Sequence, residues 1–138
     1  MIVEELSRPV PDIEFSWTCG GTVNPRCFVG HQLLVLFLPE RMEDAAAELA
    51  AYDALADEFA GFDAWFLVVG NDPLPSRATP IALDQSGAGW TAFSELTGDP
   101  LTRSDGATFL FTKGGALHCV WSGPGHAGDA LAELQTRQ

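Results

Sequence analysis

Long apolar runs are scarce in this chain of 138 residues. No run exceeds the six residues of 33–38, whereas a helix needs about 20 to cross a bilayer. The first five residues, Met-Ile-Val-Glu-Glu, are acidic where a secretion signal is basic, and no apolar segment follows them. We therefore expect no secretion signal and no membrane partner.

Basic residues are scarce as well. Nineteen acidic residues stand against 7 basic ones, which gives a net charge of −12. The phosphates of a nucleic acid would repel such a chain, so no nucleic-acid partner is expected. A basic segment of another protein is the kind of partner that this charge favours.

Cysteine is the third scarce residue, with three in the chain: Cys19, Cys27 and Cys119. An odd number excludes a complete framework of intrachain disulfides, and we expect reduced thiols and a cytoplasmic location. A two-residue turn at Gly20 and Gly21 would place Cys19 beside Thr22. Cys27 would then lie roughly 16 Å away at ~3.3 Å per residue, beyond the ~7 Å limit for a disulfide.

What the chain does contain is typical of a packed globular protein. Hydrophobic residues make up 46% and charged residues 19%, and a chain of this length can bury a sizeable core. We predict a single domain over residues 1–138, in which residues 1–11 form an N-terminal arm. Prolines near the end of that arm favour extended backbone.

The order of apolar patterns predicts an α/β fold. The first half reads as a hairpin, a buried strand, a long helix and a second buried strand, over residues 12–18, 22–28, 32–38, 40–59 and 64–69. Strand, helix and strand in that order predict a parallel pair. The second half reads as a short edge strand, a helix, a hairpin and a final helix, over residues 81–83, 87–96, 108–112, 117–122 and 127–136.

Four segments resemble one family in the right order. Residues 11–15 read Pro-Asp-Ile-Glu-Phe, residues 28–37 Phe-Val-Gly-His-Gln-Leu-Leu-Val-Leu-Phe, residues 81–87 Ile-Ala-Leu-Asp-Gln-Ser-Gly, and residues 107–115 Ala-Thr-Phe-Leu-Phe-Thr-Lys-Gly-Gly. Together they resemble the peroxiredoxins of the alkyl hydroperoxide reductase/thiol-specific antioxidant branch. The resemblance implies a thioredoxin-like three-layer α/β/α fold with a central mixed sheet and an N-terminal β-hairpin. It also allows a homodimer.

The catalytic cysteine of that family is missing. The family pattern of Pro, three residues, Thr, two residues and Cys starts at Pro39 and reaches Glu43 and Ala46. No cysteine occurs between Cys27 and Cys119, so no shift of the alignment supplies one. The resemblance implies a vestigial cleft formed by these positions: Pro39, Glu43, Ala46, Ala107 and Thr108.

The arginine that accompanies the family's cysteine is displaced too. The resemblance places it about two residues before the strand that starts near Thr108, where this chain has Gly106. Arg103 is the nearest arginine, and we expect it on a loop at the wrong spacing. Peroxidase activity of the family's type is therefore not expected at this cleft.

Other residues offer little chemistry by spacing alone. Cys27 and His31 have the spacing of half a metal site, but no second half follows, so no metal site and no cofactor are predicted. Cys119 alternates with Leu117 and Trp121 and is expected in the core. His118 is expected on the opposite face, because neighbouring strand residues point to opposite sides.

Two functions follow from this interpretation. The first is a non-catalytic thioredoxin-fold protein, a binding or assembly module whose acidic helix start, residues 40–48, suits a partner with a basic segment. The alternative is a thiol-dependent oxidoreductase or peroxidase that uses a relocated cysteine, Cys119 or Cys27. The character of the thiols separates the two, since a reactive thiol is accessible and has a lowered pKa.

Overall fold

The computed structural model describes residues 9–17, 20–70, 81–84, 87–97 and 101–136. The strands are β1 (Phe15–Trp17), β2 (Thr22–Val23), β3 (Gln32–Phe37), β4 (Ala64–Gly70), β5 (Ile81–Leu83), β6 (Ala107–Phe111) and β7 (Leu117–Ser122). The α-helices are α1 (Met42–Ala54), α2 (Ala56–Gly61), α3 (Ala88–Ser94) and α4 (Ala127–Thr136). None of these helices is long and apolar enough to cross a membrane.

The strands form one mixed sheet in the order β2-β1-β5-β4-β3-β6-β7. As predicted, β3 and β4 are parallel and are joined through α1 and α2. On its other side β3 pairs antiparallel with β6, which in turn pairs antiparallel with β7. The predicted α/β architecture with a mixed sheet is confirmed.

Strand β3 is buried on both faces, which explains its continuous apolar sequence. Leu34 and Leu36 pack in one core with residues of α1, α2 and α4. Leu33, Val35 and Phe37 pack in a second core on the opposite face, which includes Phe93 of α3. The alternation along β3 thus divides the apolar residues into two layers, one under each set of helices.

The predicted long helix is interrupted at Leu55. This residue has φ −108° and ψ 11°, so α1 ends there and the shorter α2 begins. The break lets Phe59 of α2 pack against Tyr52 of α1 and Phe66 of β4, with ring centroids 5.6 and 5.0 Å away. Periodicity alone predicted one helix because Phe59 continues the apolar spacing across the break.

The first hairpin also differs from the prediction. Its second strand stops at Val23, because Pro25 begins a 3₁₀ turn (Pro25–Phe28) whose N-terminus is capped by the Asn24 side chain. Ser16 pairs with Thr22, and Trp17 donates its backbone N–H to the Gly21 carbonyl, so the register differs from that of the assumed two-residue turn at Gly20 and Gly21, which is wrong. Cys19 itself lies outside the described residues.

The structure changes two further predictions, one for residues 81–83 and one for the N-terminal arm. The segment Ile81–Leu83 is not an edge strand, since it pairs with β4 on one side and β1 on the other. Within the predicted N-terminal arm, Val10 is buried in the second core and donates its backbone N–H to Gly115. Residues 1–8 of the arm lie outside the described residues, and the single-domain organisation stays a prediction.

Two glycines in the second position of a helix provide a matched test of this packing. A Cβ on Gly89 of α3 would overlap the buried ring of Phe15, whereas a Cβ on Gly128 of α4 would meet nothing within 4 Å. We expect Gly89→Ala to lower the free energy of unfolding by about 1–3 kcal/mol through overpacking. Gly128→Ala should leave it unchanged or raise it by up to about 1 kcal/mol. Urea unfolding of both variants measures the difference, and equal effects would contradict this packing.

Candidate functional site

The predicted cleft begins where β3 ends. Pro39 is buried, and the next residue, Glu40, donates its backbone N–H to the Ser104 carbonyl at 2.9 Å. The side chain of Glu43 is 90% exposed, and Ala46 is exposed as well. The first two turns of α1 therefore present carboxylates and alanine methyl groups at the surface, and they contain no cysteine.

The other two predicted cleft residues are packed inside the sheet. Ala107 and Thr108 pair with Phe37 and Leu36 across β6 and β3, and both are buried. The Thr108 hydroxyl lies 3.4 Å from the hydroxyl of Tyr52. Burial raises the pKa of Tyr52, so this hydroxyl stays neutral. The structure thus places Ala107 and Thr108 in the packed interior beside β3, while Glu43 and Ala46 lie on the surface of α1.

Arg103 reaches the end of β3 despite its spacing in the sequence. Its Nη1 donates to the Leu38 carbonyl at 2.6 Å, and its guanidinium carbon lies 5.7 and 5.6 Å from the ring centroids of Phe37 and Trp90. Burial lowers the pKa of Arg103, and the nearby carboxylates of Glu40 and Asp84 oppose that shift. As predicted, Arg103 lies outside the strands, on the turn Arg103–Asp105, and this turn brings its side chain to the end of β3.

A groove runs beside α1 at the same end of the sheet. It has a volume of about 240 Å³ and is lined by Asp44, Ala47, Glu48, Ala51, Pro124 and Gly125; we call it the α1 groove. Glu48 is buried, and its Oε1 accepts the backbone N–H of Gly125 at 3.1 Å. Burial raises the pKa of Glu48, and the hydrogen bond from Gly125 opposes that shift. The acidic start of α1 therefore includes one carboxyl group that is packed into a groove.

Cys27 lies far from this end. It is exposed on the turn that precedes β3, and the six residues of β3 separate that turn from the start of α1 by roughly 20 Å at ~3.3 Å per residue. His31, its predicted partner in half a metal site, instead binds Asp63 at 2.9 Å. This hydrogen bond holds the pKa of Asp63 below its usual range.

Strand β7 contains an irregularity that changes the prediction for His118. Leu110 pairs with Cys119 and Phe111 pairs with Leu117, so His118 is an extra residue opposite a regular strand. In such a β-bulge the alternation of side chains is interrupted. His118 binds Glu133 of α4, with Nε2 2.6 Å from Oε1, and Cys119 packs in the core that includes α4. The expectation that the two side chains face opposite sides was therefore wrong.

His118, Cys119 and Glu133 form what we call the bulge cluster. One potential ligand atom from each residue lies within 4.8 Å of the other two. Cys119 is 1% exposed, as predicted for a core residue. The side chains of His118 and Glu133 are 17% and 22% exposed, so the cluster is closed by the core on one side and borders solvent on the other.

Sequence reasoning missed three elements of these sites. The burial of Glu48 had a weak signal, since Glu48 precedes Leu49 on the apolar stripe of α1. The contact of Arg103 with the end of β3 had no signal in the sequence, because it depends on how the turn that carries Arg103 packs. The bulge at His118 had no signal either, because it depends on how β7 pairs with β6.

Comparisons with known proteins concern the fold. No protein-family model matches the chain, and no curated protein matches it. Among solved structures it is similar to peroxiredoxin Q from Xanthomonas campestris, with a TM-score of 0.79, 22% identity, and coverage of 97% of this chain and 99% of that one.

Two further structures are similar over the whole chain. Peroxidoxin BcpB from Mycobacterium tuberculosis has a TM-score of 0.76 and 19% identity, with coverage of 97% of this chain and 98% of that one. A putative thiol:disulfide interchange protein DsbE from Chlorobium tepidum has a TM-score of 0.73 and 14% identity, with coverage of 98% and 97%. With the mixed sheet described above, these similarities show that the chain is a thioredoxin-fold protein that resembles the peroxiredoxins.

Proposed function

We propose that this protein is a binding module on a thioredoxin fold, with no thiol chemistry at the start of α1. The observation that carries the proposal is the absence of any cysteine from α1, where Glu43 and Ala46 occupy the positions of the family's Thr and Cys. Peroxide reduction needs a thiolate at a helix N-terminus, stabilised by the helix dipole and a nearby cation. Neither residue can supply one.

The α1 groove is the binding surface that we propose, and a basic side chain of a partner protein is its ligand. Asp44 and Glu48 supply two carboxyl groups to a concave surface, and Ala47, Ala51 and Pro124 supply apolar walls. A lysine or arginine stem fits apolar walls while its charged end meets carboxylates. A cation would also compensate for the cost of keeping the Glu48 carboxylate away from water.

A pair of peptides tests this proposal. We expect a capped tetra-arginine peptide to bind more tightly than the matched tetra-citrulline peptide, which has nearly the same shape and no charge. Glu48→Gln should weaken tetra-arginine binding about tenfold, as expected for loss of a charged hydrogen-bonding partner. Titration calorimetry measures both affinities.

The control is Glu43→Gln, which removes the same charge from an exposed position of the same helix. An exposed ion pair contributes little, so this variant should change the affinity less than about fivefold. If both variants weaken binding equally, the peptide responds to the overall charge of the protein, and the groove is not the site.

The raised pKa of Glu48 makes a separate prediction about stability. Above pH 4.5 the unfolded chain loses this proton before the folded protein does. Folding stability should therefore fall as the pH rises from that value through the raised pKa of the folded state. Glu48→Gln keeps an acceptor for Gly125 but cannot ionise, so its stability relative to wild type should increase over this range. Denaturant unfolding between pH 4 and pH 8 measures the difference, and a difference that stays constant over this range would contradict the prediction.

A thiol-dependent oxidoreductase is the second candidate. The fold comparisons favour it more than the binding module, because the similar structures are peroxiredoxins and a putative thiol:disulfide interchange protein. Cys27 is accessible, and Cys119 lies in the bulge cluster with His118. In the expected step the thiol loses its proton, the thiolate sulfur attacks one peroxide oxygen and the O–O bond breaks. The sulfur becomes a sulfenic acid, and the departing oxygen takes up a proton and leaves as water.

The rate at which each cysteine reacts with limiting hydrogen peroxide distinguishes the two candidates. For the binding module we expect Cys19, Cys27 and Cys119 each to react no faster than free cysteine, as measured by peptide mass spectrometry at neutral pH. We also expect the variant with all three replaced by serine to keep its affinity for tetra-arginine. Rapid formation of a sulfenic acid at one cysteine would instead establish the oxidoreductase. A cytoplasmic location stays a prediction.

A further inference from the structure

We propose that the bulge cluster is a binding site for Zn²⁺, with His118, Cys119 and Glu133 as its ligands. The site uses different residues from the α1 groove, so it does not depend on the proposed binding of a basic partner. The proposal also differs from the sequence analysis, which predicted no metal site because no second half follows the spacing of Cys27 and His31. The ligands proposed here lie on two elements, β7 and α4, and have no such spacing along the chain.

The distances fit a tetrahedral ion after small movements. Zinc bonds of about 2.0–2.3 Å place neighbouring ligand atoms roughly 3.3–3.7 Å apart. One ligand atom of each residue already lies within 4.8 Å of the other two, and His118 Nε2 and Glu133 Oε1 are 2.6 Å apart. Binding therefore requires the His–Glu pair to open by under about 1 Å to admit the ion.

The fold holds the three ligands in place from two directions. The bulge turns His118 to the same side of β7 as Cys119. Helix α4 supplies Glu133 and is anchored to the core by its neighbour Leu134, which is fully buried. Three protein ligands and a solvent-facing side leave the fourth position to water, the arrangement of an open zinc site.

The donor atoms favour zinc over the hard cations. A thiolate and an imidazole bind borderline and soft metal ions, whereas Mg²⁺ and Ca²⁺ prefer oxygen ligands only. On binding, the Cys119 thiol releases its proton to solvent and an Sγ–Zn bond forms. His118 binds through the lone pair of Nε2, so a proton on that nitrogen moves to Nδ1, or to solvent where both nitrogens carry one. Each ion bound therefore releases the thiol proton, and one more where the imidazole is charged.

The simpler interpretation is an ion pair between His118 and Glu133 beside a packed cysteine. It explains the 2.6 Å contact between His118 Nε2 and Glu133 Oε1, and it gives the Cys119 sulfur no part in metal binding. The two interpretations differ in what happens to the thiol, and a metal that reports thiolate coordination can therefore separate them.

Co²⁺ is such a probe, since it takes the place of Zn²⁺ and shows a thiolate-to-cobalt charge-transfer band in the near ultraviolet. The experiment uses the full chain with Cys19→Ser and Cys27→Ser, so that Cys119 is the one thiol left. We expect one Co²⁺ to bind with this band and one Zn²⁺ to displace it. Adding Cys119→Ser should abolish the band and weaken Zn²⁺ binding by at least about 100-fold.

A matched pair of variants on α4 provides the control. Glu133→Gln should weaken Zn²⁺ binding at least about tenfold. Asp129→Asn removes a carboxylate that is also paired with a histidine, His126 at 2.8 Å, but lies outside the cluster, and it should leave zinc affinity unchanged. Far-ultraviolet circular dichroism checks that each variant is folded. If Cys119→Ser does not fold, Cys119→Ala replaces it.

Three results would overturn the proposal: no charge-transfer band, equal zinc affinity with and without Cys119, or equal effects of the two α4 variants. Failure here leaves tetra-arginine binding at the α1 groove unaffected, so the two proposals fail separately. A bound ion should also slow oxidation of Cys119, since its sulfur is then coordinated. Rapid oxidation without metal and no band with it would assign the cluster to thiol chemistry instead.

Discussion

The pairing of β3 on both of its edges is the constraint on which the rest of this structure depends. Its parallel register with β4 and antiparallel register with β6 place three chain segments side by side at one end, where β3 and β4 finish and β6 begins. The start of α1, the turn that carries Arg103 and, through β7, the Pro124–Gly125 segment all meet there. Cys27, His31 and Asp63 lie at the opposite end of β3. A shift of β3 by one residue would exchange its two buried faces and separate these groups.

The charged side chains at the N-terminus of α1 differ from those that peroxide reduction by a thiolate needs. The N-terminus of a helix lowers the pKa of a thiol placed there, and it stabilises carboxylates in the same way. In this chain Glu43 and Asp44 occupy the first turn, and Arg41 lies 3.9 Å from each of them. The positive groups that could activate a thiolate thus face carboxylates, and Arg103 likewise faces Glu40 and Asp84. The electrostatics of the helix start are those of a hydrated acidic surface.

Local pattern was enough to predict four strands of the sheet, β3, β4, β6 and β7. The continuous apolar run of β3, the spacing between β3 and β4, and the hairpin at Lys113 each follow from a few neighbouring residues, and the structure confirms them. The final helix was predicted with its observed bounds. The break at Leu55 was not, because the apolar spacing continues through it and only the packing of Phe59 reveals the change of direction.

The candidate sites were harder to predict, for a physical reason. Glu48 is buried because the Gly125 backbone lies over it, and Arg103 reaches Leu38 across 65 positions of sequence. Such contacts form only once the strands of the sheet have paired, so they leave no periodic pattern in the sequence. The prediction for His118 assumed strict alternation along β7, which holds only where a strand pairs without an extra residue. Positions of this kind are where local rules fail and chemistry is often found.

The bulge in β7 also affects how the sequence of such a protein can change during evolution. Among the described residues β7 pairs with a strand on one side only, so an added residue disturbs one ladder of hydrogen bonds and leaves the interior strands untouched. Gain or removal of a single codon at His118 would therefore add or delete the imidazole while Cys119 keeps its place in the core. A cluster of reactive side chains could arise, or vanish, in one genetic step at the margin of a scaffold whose centre stays constant.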